Sequence, residues 1–375
     1  MKTMTYDIGD LSLKTLLGPV SRATEVSARL DERLARSPIR DGFVERQNFA
    51  DAASALWLEG ELVHLEDLVL HDAHMDIRTP THELTRAHAV LRTRRRILSQ
   101  KPDWALGREG FLALTGRGGA MPASGPKSRD GEGAGTASVE DDDRDDAEAD
   151  LVAEEFAEID AVLARSSKIL SGADVPAKAA RPDDRPDLIY DPDWNEEERL
   201  AEWHAVLAET RGQPVVLRAA ILLEAWSDIE VLQHATWLGP LLVAALLRQE
   251  GLAAHHLACI HLGAKNIPRE RRRARNRGDR LLALLDAIHD AAVAGLKEHD
   301  RLVLAKSQME RRVKQRRASS KLSDLVELVL SRPLVSAGMI QERLKVTKQG
   351  ALNLVGELGL REMTGRGRFR AWGIV

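Results

Sequence analysis

The sequence predicts a mainly α protein, a helical core followed by a C-terminal winged helix-turn-helix. Three observations carry that expectation. Aromatic residues are only 4% of 375, and Leu, Ala, Arg and Glu dominate, a composition of helix formers rather than of a sandwich or barrel. From Glu196 to about Lys314 apolar residues recur at helical spacing without strand-like alternation. The charge is also segregated. Lys265 to Val375 holds 25 Lys+Arg against 12 Asp+Glu, a net of +13, so the −4 of the whole chain leaves −17 on residues 1–264. Such asymmetry points to a nucleic-acid-binding end.

Taken in order, residues 1–36 are weakly patterned, with a helix expected from Thr24 to Arg36. The run Phe43 to Gly60 has apolar residues at helical spacing and closes on a glycine suited to a C-cap. Leu62–Asp72 and Thr81–Ser99 read as two more helices, with Thr79 or Thr81 as the cap of the second. Gly116 to Asp150 is rich in Gly, Ser, Pro and acidic residues and nearly free of large apolar ones. It cannot bury enough surface to offset its ordering entropy, so it reads as a disordered acidic linker. Leu151–Leu170 reads as an amphipathic helix, and a loose, proline-rich stretch follows. Six helices are then expected: Glu196–Thr210, Pro214–Asp228, Ile229–Glu250, Ala253–Gly263, Pro268–Lys297 and Asp300–Arg317. The domain boundaries that result are 1–115, 116–150, 151–317 and 318–375.

The last segment changes character. Lys321–Leu330 and Ser336–Leu344 read as helices, the second separated by Lys345-Val346-Thr347 from a third that runs to about Leu358. Thr347 is a good N-cap for that third helix. Leu360–Met363 and Phe369–Ile374 read as short strands around Thr364-Gly-Arg-Gly367. This is the layout of a winged helix-turn-helix, whose third helix enters the major groove with its N-terminal residues on base edges. Those residues are Thr347, Lys348, Gln349 and Asn353. Gln and Asn suit adenine edges, while Lys and Thr suit phosphate or guanine. Arg366, Arg368 and Arg370 on the wing would follow the phosphate backbone. The expected inward face is Leu344, Val346, Ala351, Leu352, Val355 and Leu358. The basic runs Arg269–Arg280 and Arg311–Arg317 add to the expectation of double-stranded DNA as partner.

Other chemistry finds little support. One cysteine, Cys259, excludes a disulfide framework, and the cytosol is the expected compartment. The longest apolar run, Ala235 to Leu247, is too short to span a bilayer. His255, His256, Cys259 and His261 cluster, with 255 and 259 at helical i,i+4 spacing, yet no second ligand pair accompanies them. No metal and no cofactor are expected. No phosphate-binding loop or nucleophile elbow occurs. Trp226 and Trp237 are candidates to line a ligand pocket.

The arrangement resembles a bacterial family of uncharacterised proteins that joins a domain of unknown function to a C-terminal helix-turn-helix DNA-binding domain. The likeness covers most of the chain. More distantly, the helical part is similar to the Fic family of adenylyl transferases. Ala55-Leu-Trp-Leu-Glu59-Gly60 is similar to that family's inhibitory motif, with Ala55 where the family has Ser or Thr. Leu217–Trp226 and Leu241–Leu247 resemble the helices beside its active-site loop. The loop itself is not matched. Asp228 to Gly239 contains His234 but neither Pro-Phe after it nor the glycine-rich anion cradle. The resemblance therefore implies a DNA-binding regulator with a non-catalytic, Fic-like helical domain, and not an enzyme. The alternatives are a divergent AMP transferase and an antitoxin-like interaction module, and the helical domain is expected to sense a protein partner, a ligand or a second copy of the chain.

Overall fold

The structure, a computed structural model, describes residues 6–9, 13–75, 79–115, 194–314, 320–364 and 370–374. The linker at 116–150, the helix expected at 151–170, and Arg366 and Arg368 lie outside them. The described chain forms two compact units. The smaller holds a 3-10 turn, Trp104–Leu106, and the short helix α5, Arg108–Leu114. Gly110 permits that pairing, since a Cβ there would lie 2.0 Å from the Trp104 carbonyl oxygen.

The larger unit, residues 1–103 and 196–375, contains everything else. Its helices are α1 (Leu13–Ala35), α2 (Arg40–Glu59), α3 (Leu65–Asp72) and α4 (His82–Ser99), then α6 (Glu196–Glu209), α7 (Val215–Ile229), α8 (Leu238–Gln249), α9 (Ile260–Lys265), α10 (Arg269–Arg272) and α11 (Arg277–Lys314). Nearly every side chain of α7 and α8 is buried, as expected of helices that are apolar all round. α6 seals α7 through Trp203, whose ring stands edge-on to Trp226 at 5.4 Å and whose Nε1 donates to Leu222 O. α1 lies along α11, with Leu30 against Gly295 and Arg33 paired to Asp300 at 2.6 Å. α9 crosses α11 at Gly263, where a Cβ would stand 2.0 Å from Ala287 O, so only glycine permits the approach.

Several boundaries differ from the sequence expectation. α1 starts at Leu13 rather than Thr24 and runs through Pro19. The helix expected at Ile229–Glu250 is only its second half. Residues 230–237 form a loop with Glu230 and Ala235 at positive φ, and Val231 and Leu232 are buried without being helical, which imitates helical spacing. Pro240 then falls in the first turn of α8, where its missing N–H costs nothing. The stretch 251–256 is a turn, so His255 and Cys259 do not share a helix face. Two expected helices, Pro268–Lys297 and Asp300–Arg317, are replaced by the four-residue α10 and the uninterrupted 38-residue α11. Asp300 lies within α11 and pairs with Arg33 of α1. The space beside Trp226 is filled: Nε1 donates to Thr236 O at 3.1 Å, and a Cβ on Gly239 would meet the ring at 2.3 Å.

Among the described residues, the groups around Cys259 join a buried polar network. Arg94, fully buried, donates to Asp51 at 2.5 Å, to Asn48 Oδ1 at 3.1 Å and to Leu257 O at 2.8 Å. Asp51 also meets the His261 ring and the Leu262 N–H, each at 2.9 Å. His255 and His256 both turn to Asp31. Burial pushes the Cys259 thiol up to about 12, so it is an inert packing group. A cavity of about 20 Å³ between Gln47, His256 and Cys259 has room for a water and no more.

Candidate nucleic-acid interface

The C-terminal segment is a helix-strand-helix-helix-hairpin: α12 (Ser320–Ser331), β1 (Val335–Ser336), α13 (Ala337–Leu344), α14 (Lys348–Leu358), β2 (Arg361–Glu362) and β3 (Ala371–Gly373). The sheet order is β1-β3-β2, all antiparallel, with Val335 opposite Trp372 and Glu362 opposite Trp372 on the other side. β1 was not expected from the sequence. Two residues carry no periodicity, and only pairing with β3 makes them a strand.

Local chemistry explains the turn that gives the motif its shape. Ser336 caps α13 by accepting from Met339 N–H at 3.2 Å. Lys345 ends α13 in the left-handed region, φ 51°. Thr347 then caps α14, its hydroxyl accepting from Gly350 N–H at 3.2 Å. Along α14 the buried stripe is Ala351, Leu354, Val355 and Leu358, an i, i+3, i+4, i+7 pattern. Leu352, expected inward, lies off that stripe and is half-buried, and Leu354 takes its place.

Thr347, Lys348, Gln349 and Asn353 are all exposed. Gln349 Nε2 donates to Asn353 Oδ1 at 3.0 Å, so the two amides are tied into one unit. That pairing leaves the Gln349 carbonyl oxygen and an Asn353 N–H for a base edge, an acceptor and a donor of the kind that match adenine. Lys348, Arg343 and Lys345 are exposed around the same turn. Arg370 is exposed and has partners within the hairpin. It lies in a cross-strand pair with Glu362, Nε to Oε2 2.8 Å, and over the Trp372 ring at 5.5 Å. Its charge is partly spent within the hairpin.

The two basic runs also divide. Arg269, Arg271, Arg273 and Arg275 are exposed, but Arg277 and Arg280 turn inward to the buried carboxylate of Glu224, which Tyr6 Oη joins at 2.7 Å. A buried acid far upstream in the sequence gave no signal of this. Arg312 of the second run is likewise engaged, on the carbonyls that end α14.

The winged segment is fastened to the helical body. Arg46 of α2, side chain 7% exposed, donates to Val329 O at 3.2 Å, to Arg332 O, and to Glu298 at 3.1 Å. Arg332 pairs with Glu45 and Asp72, which Arg95 also holds, and both guanidiniums lie 5.3 Å from the centroid of Phe49. Asp72 sits well below the usual carboxylate range: burial alone would raise it, but His88, Arg95 and Arg332 outweigh burial. Arg301 Nη1 donates to Ile374 O at 2.8 Å.

Glu59 and Gly60 lie elsewhere in the unit. Gly60 is the left-handed C-cap of α2, φ 93°. The Glu59 carboxylate is held by Arg86 of α4 and by the Thr236 hydroxyl.

Residues 188–314 match a family described as "Protein of unknown function (DUF1612)", and residues 322–375 match one described as "HTH DNA binding domain". Over 387 aligned residues, 99% of this chain and 100% of the relative, the chain is 51% identical to "Uncharacterized protein y4cF" of Sinorhizobium fredii (strain NBRC 101917 / NGR234). The chain belongs to this DUF1612 and helix-turn-helix family. The DUF1612 region spans α6 to α11, and the helix-turn-helix region spans nearly all of the winged segment. The chain thus ends in a helix-turn-helix DNA-binding domain, and neither description names an enzymatic activity. Among the described residues no helix is long and apolar enough to cross a membrane.

Proposed function

We propose that the protein is a DNA-binding transcriptional regulator in which α14 reads the major groove and the helical body places it there. The observation that carries this reading is the exposed N-terminal half of α14, with Thr347, Lys348 and the tied Gln349–Asn353 amides on it, in a segment that matches a DNA-binding family. The body acts as a scaffold rather than a catalyst: the stretch from Asp228 to Gly239 has no glycine-rich cradle for a phosphate. Arg366 and Arg368, with Arg370 only in part, supply phosphate contacts from the wing.

Gel-shift with duplexes taken from upstream of the protein's own gene tests the assignment. Lys348→Ala and Gln349→Ala are expected to weaken the selected duplex by about 1–3 kcal/mol where the side chain reads a base. Binding that survives both substitutions unchanged would move the interface off α14.

A further inference from the structure

The third helix of the winged segment is held at its far end by a residue from outside that segment. Arg312, in the last turns of α11, donates from Nη1 to Leu358 O at 2.6 Å and to Gly359 O at 3.2 Å. These carbonyls close α14, where a helix leaves acceptors unsatisfied and the dipole is negative, so a guanidinium there satisfies both. Gly359 is shaped for the contact. It sits at φ 64°, and a Cβ on it would lie 2.5 Å from Arg312 Nη1. Arg312 is within the DUF1612 match and Leu358 is within the helix-turn-helix match.

α11 is an extended strut, about 57 Å at the helical rise. Its start is clamped: Arg277 and Arg280 meet Glu224, and Arg277 also bonds Tyr6 Oη at 2.9 Å. Its middle carries Arg301, bound to Ile374 O beside β3. Its end carries Arg312. The placement of one helix by the body is therefore delivered directly to the end of α14.

We propose that Arg312 is a positioning residue for DNA recognition, fixing α14 to α11 and so setting the angle at which Thr347, Lys348, Gln349 and Asn353 meet the bases. The proposal rests on the DNA-binding reading above. It opposes the simpler use of Arg312 as a phosphate contact, because its Nη1 is engaged by the α14 carbonyls.

Salt dependence separates the two uses. The full chain, Arg312→Gln and Arg312→Lys are titrated by fluorescence anisotropy against a duplex selected by the wild type from a random pool, and against an unrelated duplex, over a salt series. Positioning predicts that Arg312→Gln loses on the order of tenfold on the selected duplex, the scale of a hydrogen bond to a charged group. Non-specific binding and the salt slope stay as in wild type, and Arg312→Lys recovers part of the loss. Amide hydrogen exchange without DNA should quicken at the C-terminal turn of α14 in Arg312→Gln. An equal loss on both duplexes with a slope shallower by about 0.9 would make Arg312 a phosphate ligand and overturn the proposal. Unchanged selectivity in Arg312→Gln overturns it as well. A wild type that selects no duplex removes the DNA reading itself, and the proposal with it.

Discussion

Arg94→Met tests the buried polar network of the helical body. Arg94 is 0% exposed and so is Asp51, its partner at 2.5 Å. Removing one member of a buried ion pair leaves an uncompensated charge, which costs about 3–5 kcal/mol. Asp51 would keep the His261 ring and the Leu262 N–H, both at 2.9 Å, while Leu257 O would lose a donor at 2.8 Å. The retained bonds place the expected loss near the lower end, about 3 kcal/mol, a large part of a typical folding free energy of roughly 5–15 kcal/mol. Urea unfolding followed by far-ultraviolet circular dichroism measures it. The double variant Arg94→Met/Asp51→Leu removes both charges, so its loss should fall short of the sum of the single losses by about 2 kcal/mol. A single loss under about 1 kcal/mol, or strict additivity, would refute the claim that the pair organises this core.

The remaining expectations concern acid, packing and the interface. Asp31 is held down to about 2: burial alone would raise it, but hydrogen bonds from His256 and His255 outweigh burial. Its ordinary value is about 3.9, so this stabilisation is present above about pH 4 and is lost as pH falls toward 2. Urea midpoints should drop across that window, and Asp31→Asn should flatten the drop; an equally steep profile in the variant counts against the assignment. Gly263→Ala should cost about 1–3 kcal/mol, because its Cβ would meet Ala287 O at 2.0 Å. By contrast Gly356→Ala on α14, with nothing within 4 Å, should stabilise by about 0.5–1 kcal/mol. A thermal melt of each reads both signs, and a silent Gly263→Ala would mean that α9 and α11 part easily.

Much of this architecture was legible in the sequence, for reasons that vary along the chain. Gly60 and Thr347 announced helix ends because capping is local chemistry, and of the two candidates Thr79 and Thr81 it is Thr81 that caps α4. The winged layout followed from those caps and from the apolar stripe of α14. What was not legible depended on long-range partners. The loop at 230–237 carries buried Val231 and Leu232, so its pattern looks helical until Trp226 and Gly239 are seen to claim the space. The basic run Arg269–Arg280 looks uniform in sequence, yet Glu224 draws two of its arginines inward and leaves four exposed. The contacts of Arg46, Arg312 and Arg332 leave no local signal, because each acts on a backbone or carboxylate tens to hundreds of residues away.

The most direct test of the central claim is the salt dependence of DNA binding by the intact wild-type chain. Neutralised phosphates release counterions, and log K falls with log salt at about −0.9 per contact. With Lys348, Arg343, Lys345 and the wing arginines at the interface, a slope of about −3 or steeper is expected on duplex DNA. No binding at low salt, or a slope near zero, would contradict the account.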